Sequence, residues 1–84
     1  MDIEFDPAKD AFNRAKHGIS LARAAELEVL AYVDDLRFGE PRFRLYGLID
    51  GEAYCVAGTM RGAAIRVINL RRAHAKELRR YVDE

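Results

Sequence analysis

The stretch Arg42–Met60, RFRLYGLIDGEAYCVAGTM, decides the fold. Arg42-Phe43-Arg44-Leu45-Tyr46 alternates charged and apolar side chains, the period of a strand with one wet face. Asp50-Gly51 then marks a hairpin turn, because both residue types tolerate positive φ. Tyr54 to Met60 is the return strand. Arg61-Gly62 marks the next turn, and Ala64 to Leu70 forms a third strand. On it Ile65, Val67 and Asn69 share one face, and Arg66, Ile68 and Leu70 the other. A closing helix over Ala73–Val82 follows, with Leu78, Tyr81 and Val82 as its packing face.

Toward the N-terminus, Asp34 to Pro41 reads as a loop. Val29 to Val33 is short and apolar, and reads as a strand or as the end of a helix. Ser20 caps that helix, in which Leu21, Ala24, Ala25 and Leu27 recur at helical spacing through about Glu28. An earlier helix runs from Pro7 to His17. Asp6 is its N-cap, Pro7 fits the first turn, Lys16-His17 meet the negative end of the dipole, and Gly18 takes the left-handed cap. Ala8, Ala11, Phe12 and Ala15 form its expected buried stripe. Ile3 and Phe5 alternate with acidic neighbours as a short first strand. The layout is α+β: two N-terminal helices and a C-terminal helix cover one face of an antiparallel sheet, and the other face stays open.

Eighty-four residues make one domain, 1–84. Half the residues are apolar and a third are charged, the balance of a globular chain. The lone cysteine, Cys55, excludes an internal disulfide and points to a reducing compartment. The acidic start lacks a signal-peptide pattern. No apolar run reaches the roughly 18 residues that span a bilayer. A cytoplasmic location is therefore expected, with no membrane partner.

Net charge is zero but unevenly spread. Residues 1–41 carry five Lys/Arg against nine Asp/Glu, whereas residues 61–84 carry seven against three. That asymmetry either builds a basic face on a neutral protein or belongs to an ordinary solvated terminal helix.

Metal ligation is not expected, since two histidines 57 residues apart and one cysteine have no ligand spacing. The six glycines lie at scattered turns, so phosphate loops and dinucleotide fingerprints are absent and no cofactor is implied. Cys55 reads as a small core residue. Arginine, histidine, lysine and tyrosine remain. They suit RNA phosphodiester chemistry, in which the 2′-hydroxyl attacks the adjacent phosphorus. Such a reaction needs a proton acceptor, a proton donor and cations for the charge-rich transition state. His17 is the acid/base candidate by type, although a helix C-terminus also favours histidine for its dipole. Arg61, Arg66, Arg71 and Arg72 lie at turns and strand ends that can aim guanidiniums into a cleft.

Several segments together resemble BrnT-family toxins. Phe5-Asp6-Pro7-Ala8-Lys9, Asn13 and Lys16-His17-Gly18-Ile19 match the family's aromatic-Asp opening and its Lys-His-Gly. Arg66-Val67-Ile68-Asn69-Leu70-Arg71-Arg72-Ala73, with Glu77 and Tyr81, looks like its Arg-rich closing motif. Arg42 before Tyr46-Gly47, and Thr59-Met60-Arg61, also fit. Phe5 stands where the family often has Trp, and Asn69-Leu70 replace Ser-Ala. The resemblance implies a RelE-like fold and a ribonuclease that halts translation; the missing ligand spacing and the 2′-hydroxyl chemistry make it metal-independent by expectation. The resemblance also implies a BrnA-like, DNA-binding antitoxin that forms a hetero-oligomer with the toxin. Carried over by position, Lys16, His17, Arg61, Arg71 and Tyr81 are the catalytic candidates. Arg61 and Arg71 would stabilise the transition state, and His17, Lys16 or Tyr81 would move protons. Lys9, Arg42, Arg66, Arg72 and Arg79 are the RNA-binding candidates. The alternative is a catalytically inactive BrnT-like module that acts only through its antitoxin. A DNA-binding accessory domain is weaker, because the second helix carries Glu26 and Glu28 against Arg23 alone.

Overall fold

A computed structural model describes residues 1–37 and 39–83; Phe38, within the expected loop, lies outside the described residues. The order is β1 (Ile3–Glu4), α1 (Pro7–His17), a 3₁₀ helix (Leu21–Glu26), β2 (Glu28–Asp35), β3 (Arg42–Ile49), β4 (Glu52–Arg61), β5 (Ala64–Arg72) and α2 (Ala75–Tyr81). The five strands form one sheet in the order β1-β5-β4-β3-β2. The meander β2–β5 is antiparallel, as expected, but β1 runs parallel to β5, so the sheet is mixed. The β3–β4 hairpin turns on Asp50 and Gly51 at φ of 51° and 76°.

The expected second α-helix is corrected to a single 3₁₀ segment that stops at Glu26. Ser20 does cap it, accepting from the Ala22 N–H at 3.1 Å. Leu27 is already extended, and Glu28-Val29-Leu30-Ala31-Tyr32-Val33 pairs with β3. Ladder hydrogen bonds and a β-branched, aromatic composition outweigh the helical spacing of the preceding leucines and alanines. Gly47 permits this pairing. A Cβ there would lie 2.1 Å from the Glu28 carbonyl oxygen, so only glycine lets the two strands meet.

Helices lie on both faces, not one. Ile19, Leu21, Ala24 and Leu27 pack with Phe43, Leu45, Val56 and Leu70 as the apolar core on the α1 side. Tyr46 and Cys55 point the other way by strand alternation, yet are also buried, because α2 covers that side. The strand β5 does not alternate as expected either. Its register with β4 slips at Ile68, since Ala57 faces Asn69 but Gly58 faces Val67. This bulge turns Leu70 to the core beside Val67 and sends Asn69 and Arg71 to the α2 side.

The α1 stripe is also corrected. Ala8, Ala11, Phe12 and Ala15 are exposed, and Asn13 is the buried residue of the helix. The inward face meets backbone rather than apolar side chains. Beyond Arg66, β1 no longer covers the β5 edge. There the Asn13 amide donates to the Leu70 carbonyl at 2.8 Å and accepts from the Leu70 N–H at 3.1 Å, as a neighbouring strand would. It also donates to the Ile19 carbonyl at 2.9 Å. One turn earlier, Asp10 accepts from Ser20 Oγ at 2.8 Å and the Leu21 N–H at 2.7 Å, which seats the 3₁₀ helix.

Asn13→Ala strands three buried backbone groups and should cost about 2–4 kcal/mol. Phe12→Ala, on the exposed face, should cost no more than about 0.5 kcal/mol. Urea midpoints decide it; equal losses would mean that Asn13 does not hold the edge.

Candidate functional site

The site grows from the polar face of β3. Period two places Arg42, Arg44 and Tyr46 on one side of the sheet. Register sets Tyr46 opposite Cys55 and Cys55 opposite Arg71, so one row of side chains crosses three strands. The helix α2 lowers Glu77 onto this row. Its two carboxylate oxygens accept from both terminal nitrogens of Arg71, each at 2.9 Å. The Tyr46 hydroxyl donates to Glu77 Oε2 at 2.8 Å and accepts from Arg44 Nη1 at 2.8 Å. The His74 N–H donates to Glu77 Oε1 at 2.9 Å, which starts the helix two residues later than its expected start at Ala73. Tyr81 stacks on Tyr46 with centroids 5.3 Å apart and planes at 17°. The Arg44 guanidinium lies 5.7 Å and 5.5 Å from the two ring centroids.

The charges follow from these contacts. The Arg71 guanidinium holds the Glu77 carboxyl well below the usual carboxylate range, and Glu77 in turn raises Arg71. Burial, then the bond to Glu77, pushes the Tyr46 phenol up, and burial pushes the Cys55 thiol up. Burial lowers His17, with the like charges of Lys16 and Arg71 adding to it, which favours the neutral imidazole. The Arg37 side chain takes both oxygens of Asp35, at 2.8 and 2.6 Å, and lowers that acid to about 2.

Beside this row opens a cavity of about 240 Å³. Arg37, Arg42, Arg44 and Arg71 line it with Asp35 and Asn69, over an apolar floor of Cys55, Ala57 and Ile68. Arg44 Nε is buried there without a hydrogen-bond partner among the described residues, and Asp35 Oδ2 stands 3.9 Å away. Asp35 holds Arg37, Glu40 holds Arg42 and Glu77 holds Arg71, so four guanidiniums meet three carboxylates; the surplus positive charge and the unpartnered Arg44 Nε suit an anion such as phosphate. Among the described residues, no cluster of His, Cys, Asp and Glu is placed to hold a metal ion.

Of the residues singled out from sequence, Arg71 and Tyr81 meet at the Glu77 row, Arg42 lines the cavity, and His17 lies within electrostatic reach of Arg71. The others lie apart. Lys16 is exposed, its Nζ 5.8 Å from the Phe12 ring centroid. Arg61 ends β4, six residues beyond Cys55 and so roughly 20 Å along the strand from the Arg71 row. Arg66 pairs with Glu4 at 3.5 Å. Arg72 points to the opposite face, bonded to Glu52 and 5.3 Å from the Tyr54 centroid. Lys9 and Arg79 are exposed on α1 and α2. Arg44 went unremarked as a site residue although its strand alternation placed it beside Arg42. Asp35 and Arg37 carried no sequence signal, because the end of β2 and the turn after it position them, and Asn69 reaches the cavity only through the bulge in β5.

Comparison with known proteins fits this geometry. A family model described as "Ribonuclease toxin, BrnT, of type II toxin-antitoxin system" matches residues 5–77. The chain belongs to the BrnT family. That match includes the whole arginine-lined cavity and Glu77, and stops short of Tyr81. The crystal structure of the Brucella abortus ribonuclease toxin BrnT is similar to this chain at a TM-score of 0.69 and 27% identity. The similarity covers 88% of this chain and 97% of the Brucella BrnT chain. No curated relative matches by sequence. This BrnT member shares the α+β architecture of that structure.

Asp35 and Glu77 bind protons more weakly in the folded BrnT domain than when unfolded. Their stabilisation is therefore complete above the ordinary values of 3.8 and 4.5 and is lost as pH falls, for Asp35 through about 2. Urea midpoints should drop between pH 5 and pH 2. Glu77→Gln should lower stability at pH 7 and flatten that drop; an unchanged slope would remove Glu77 from the acid transition.

Proposed function

We propose that this chain is the toxin of a type II toxin–antitoxin pair, an endoribonuclease that needs no metal and stops translation by cutting RNA. The convergence of Arg42, Arg44 and Arg71, from β3 and β5, on one cavity carries this reading, together with family membership. A phosphodiester seated there has its charge met by guanidinium forks. The 2′-oxygen attacks phosphorus, its proton passes to a base, the bond to the 5′-oxygen breaks, and an acid protonates that oxygen. The products are a 2′,3′-cyclic phosphate and a 5′-hydroxyl.

His17, whose neutral form burial favours, suits the base. Tyr81 and Lys16 are the other proton-transfer candidates. Arg71 stabilises the transition state together with Arg44, and Glu77 is a positioning residue that fixes the Arg71 fork and the Tyr46 hydroxyl. Arg61, distant along β4, belongs with Lys9, Arg66, Arg72 and Arg79 as contacts to more remote RNA phosphates. The neutralising partner is a BrnA-like, DNA-binding antitoxin that covers the basic cavity in a hetero-oligomer. Its basic segments suit the acidic N-terminal half. The free, buried Cys55 fits a reducing cytoplasm.

Purified protein with EDTA present should cleave single-stranded RNA to 5′-hydroxyl products. A 2′-deoxy nucleotide at the scissile position should block the cut. Arg71→Ala should lower the rate by about 10²–10³-fold, and Arg61→Ala by about tenfold or less if it contacts only a remote phosphate. Intact RNA with folded protein would overturn the enzymatic reading in favour of a non-catalytic, antitoxin-binding module.

A further inference from the structure

A second cavity, of about 390 Å³, lies on the other side of Arg44 and is lined by Arg44, Lys76, Glu77, Arg80 and Tyr81. Lys76 and Arg80 stand four residues apart and so share one face of α2. Arg14, Arg23, Arg66 and Arg72 are each paired with a carboxylate, of Asp10, Glu26, Glu4 and Glu52. Lys76 and Arg80 have no carboxylate partner among the described residues. Arg80 rests instead against the Tyr81 ring, 5.4 Å from its centroid, which steadies the guanidinium and leaves its N–H groups open. Glu77 borders the cavity, but both of its oxygens are already engaged by Arg71, and its repulsion of an incoming anion is largely cancelled. Three cations against one compensated carboxylate, beside an aromatic ring, form a place for a phosphate group.

We propose that this second cavity is a phosphate subsite for the single-stranded nucleic acid that occupies the arginine-lined cavity. Lys76 and Arg80 grip a backbone phosphate one or more nucleotides from the scissile bond. Arg44 joins the two cavities, since it lines both. The proposal rests on the reading of the first cavity as the RNA site. It gives α2 a binding role in addition to delivering Glu77. Neither Lys76 nor Arg80 belongs to the BrnT-like motif residues of the chain, so the subsite sets strand affinity rather than the chemical step.

The test is binding of a 2′-O-methyl single-stranded oligonucleotide, which has no free 2′-hydroxyl and cannot be cut, followed by fluorescence anisotropy over a salt series. Lys76→Gln and Arg80→Gln should each weaken binding by about three- to tenfold and reduce the steepness of log affinity against log salt by roughly 0.7. Arg14→Gln removes the same charge from α1 and should change neither quantity. Unchanged oligonucleotide affinity in the two variants, or losses matched by Arg14→Gln, would overturn the subsite. Failure of the wild type to cleave RNA would overturn the enzymatic reading, while the binding measurement would still judge the subsite.

Discussion

The Glu77 carboxylate is the joint on which the site depends. The helix α2 has seven residues and no fully buried side chain, too short to hold itself in water. It stays on the sheet because Glu77 accepts two bonds from Arg71 and one from Tyr46, and because Tyr81 stacks on Tyr46; the His74 N–H bond to Glu77 caps the helix itself. The same bonds fix where Arg71 and, through the Tyr46 hydroxyl, Arg44 can point. Fold and site therefore share one set of contacts. Three like-charged guanidiniums, from Arg42, Arg44 and Arg71, would repel across one cavity unless Glu77, Asp35 and Glu40 offset them from its rim.

A second constraint lies on the far face. The strand β1 pairs with only the first part of β5, so the middle of that edge would be left with open backbone groups. One buried amide, Asn13, closes it by bonding both polar groups of Leu70. This anchors α1 where its last residue, His17, feels the charge of Arg71. The bulge at Ile68 completes the arrangement, because it returns Leu70 to the core while Arg71 faces the site. A cost in regular pairing is accepted at the strand that carries the site arginine.

Zero net charge is no obstacle to an anion site in such a molecule. What matters is which cations meet a carboxylate locally. Arg14, Arg23, Arg66 and Arg72 are each offset by a carboxylate, whereas Arg37, Arg42, Arg44, Arg71, Lys76 and Arg80 meet only Asp35, Glu40 and Glu77 among the described residues, so a cationic excess gathers where β3, β5 and α2 meet. The field focused by two adjoining cavities is set by that gathering rather than by the total.

The sequence by itself determined the elements whose information is local. The alternation after Arg42, the positive-φ pair Asp50-Gly51, and the Asp6 and Gly18 caps of α1 all appear in the structure where the residues pointed. The BrnT motifs were legible too, and they named Arg71, Glu77 and Tyr81 before any geometry was known. Tertiary structure alone decided the rest. Helical spacing mistook the exposed Phe12 stripe for the buried one, since the inward face of α1 meets backbone edges and pairs through Asp10 and Asn13. Strand period failed at Ile68, because a bulge depends on the partner strand. Arg61 and Arg71 looked equivalent in the chain, yet Arg61 ends β4 while Arg71, on β5, pairs with Cys55 near the other end of β4. Convergence of side chains is a property of strand register and helix docking, which long-range contacts set and no local pattern encodes.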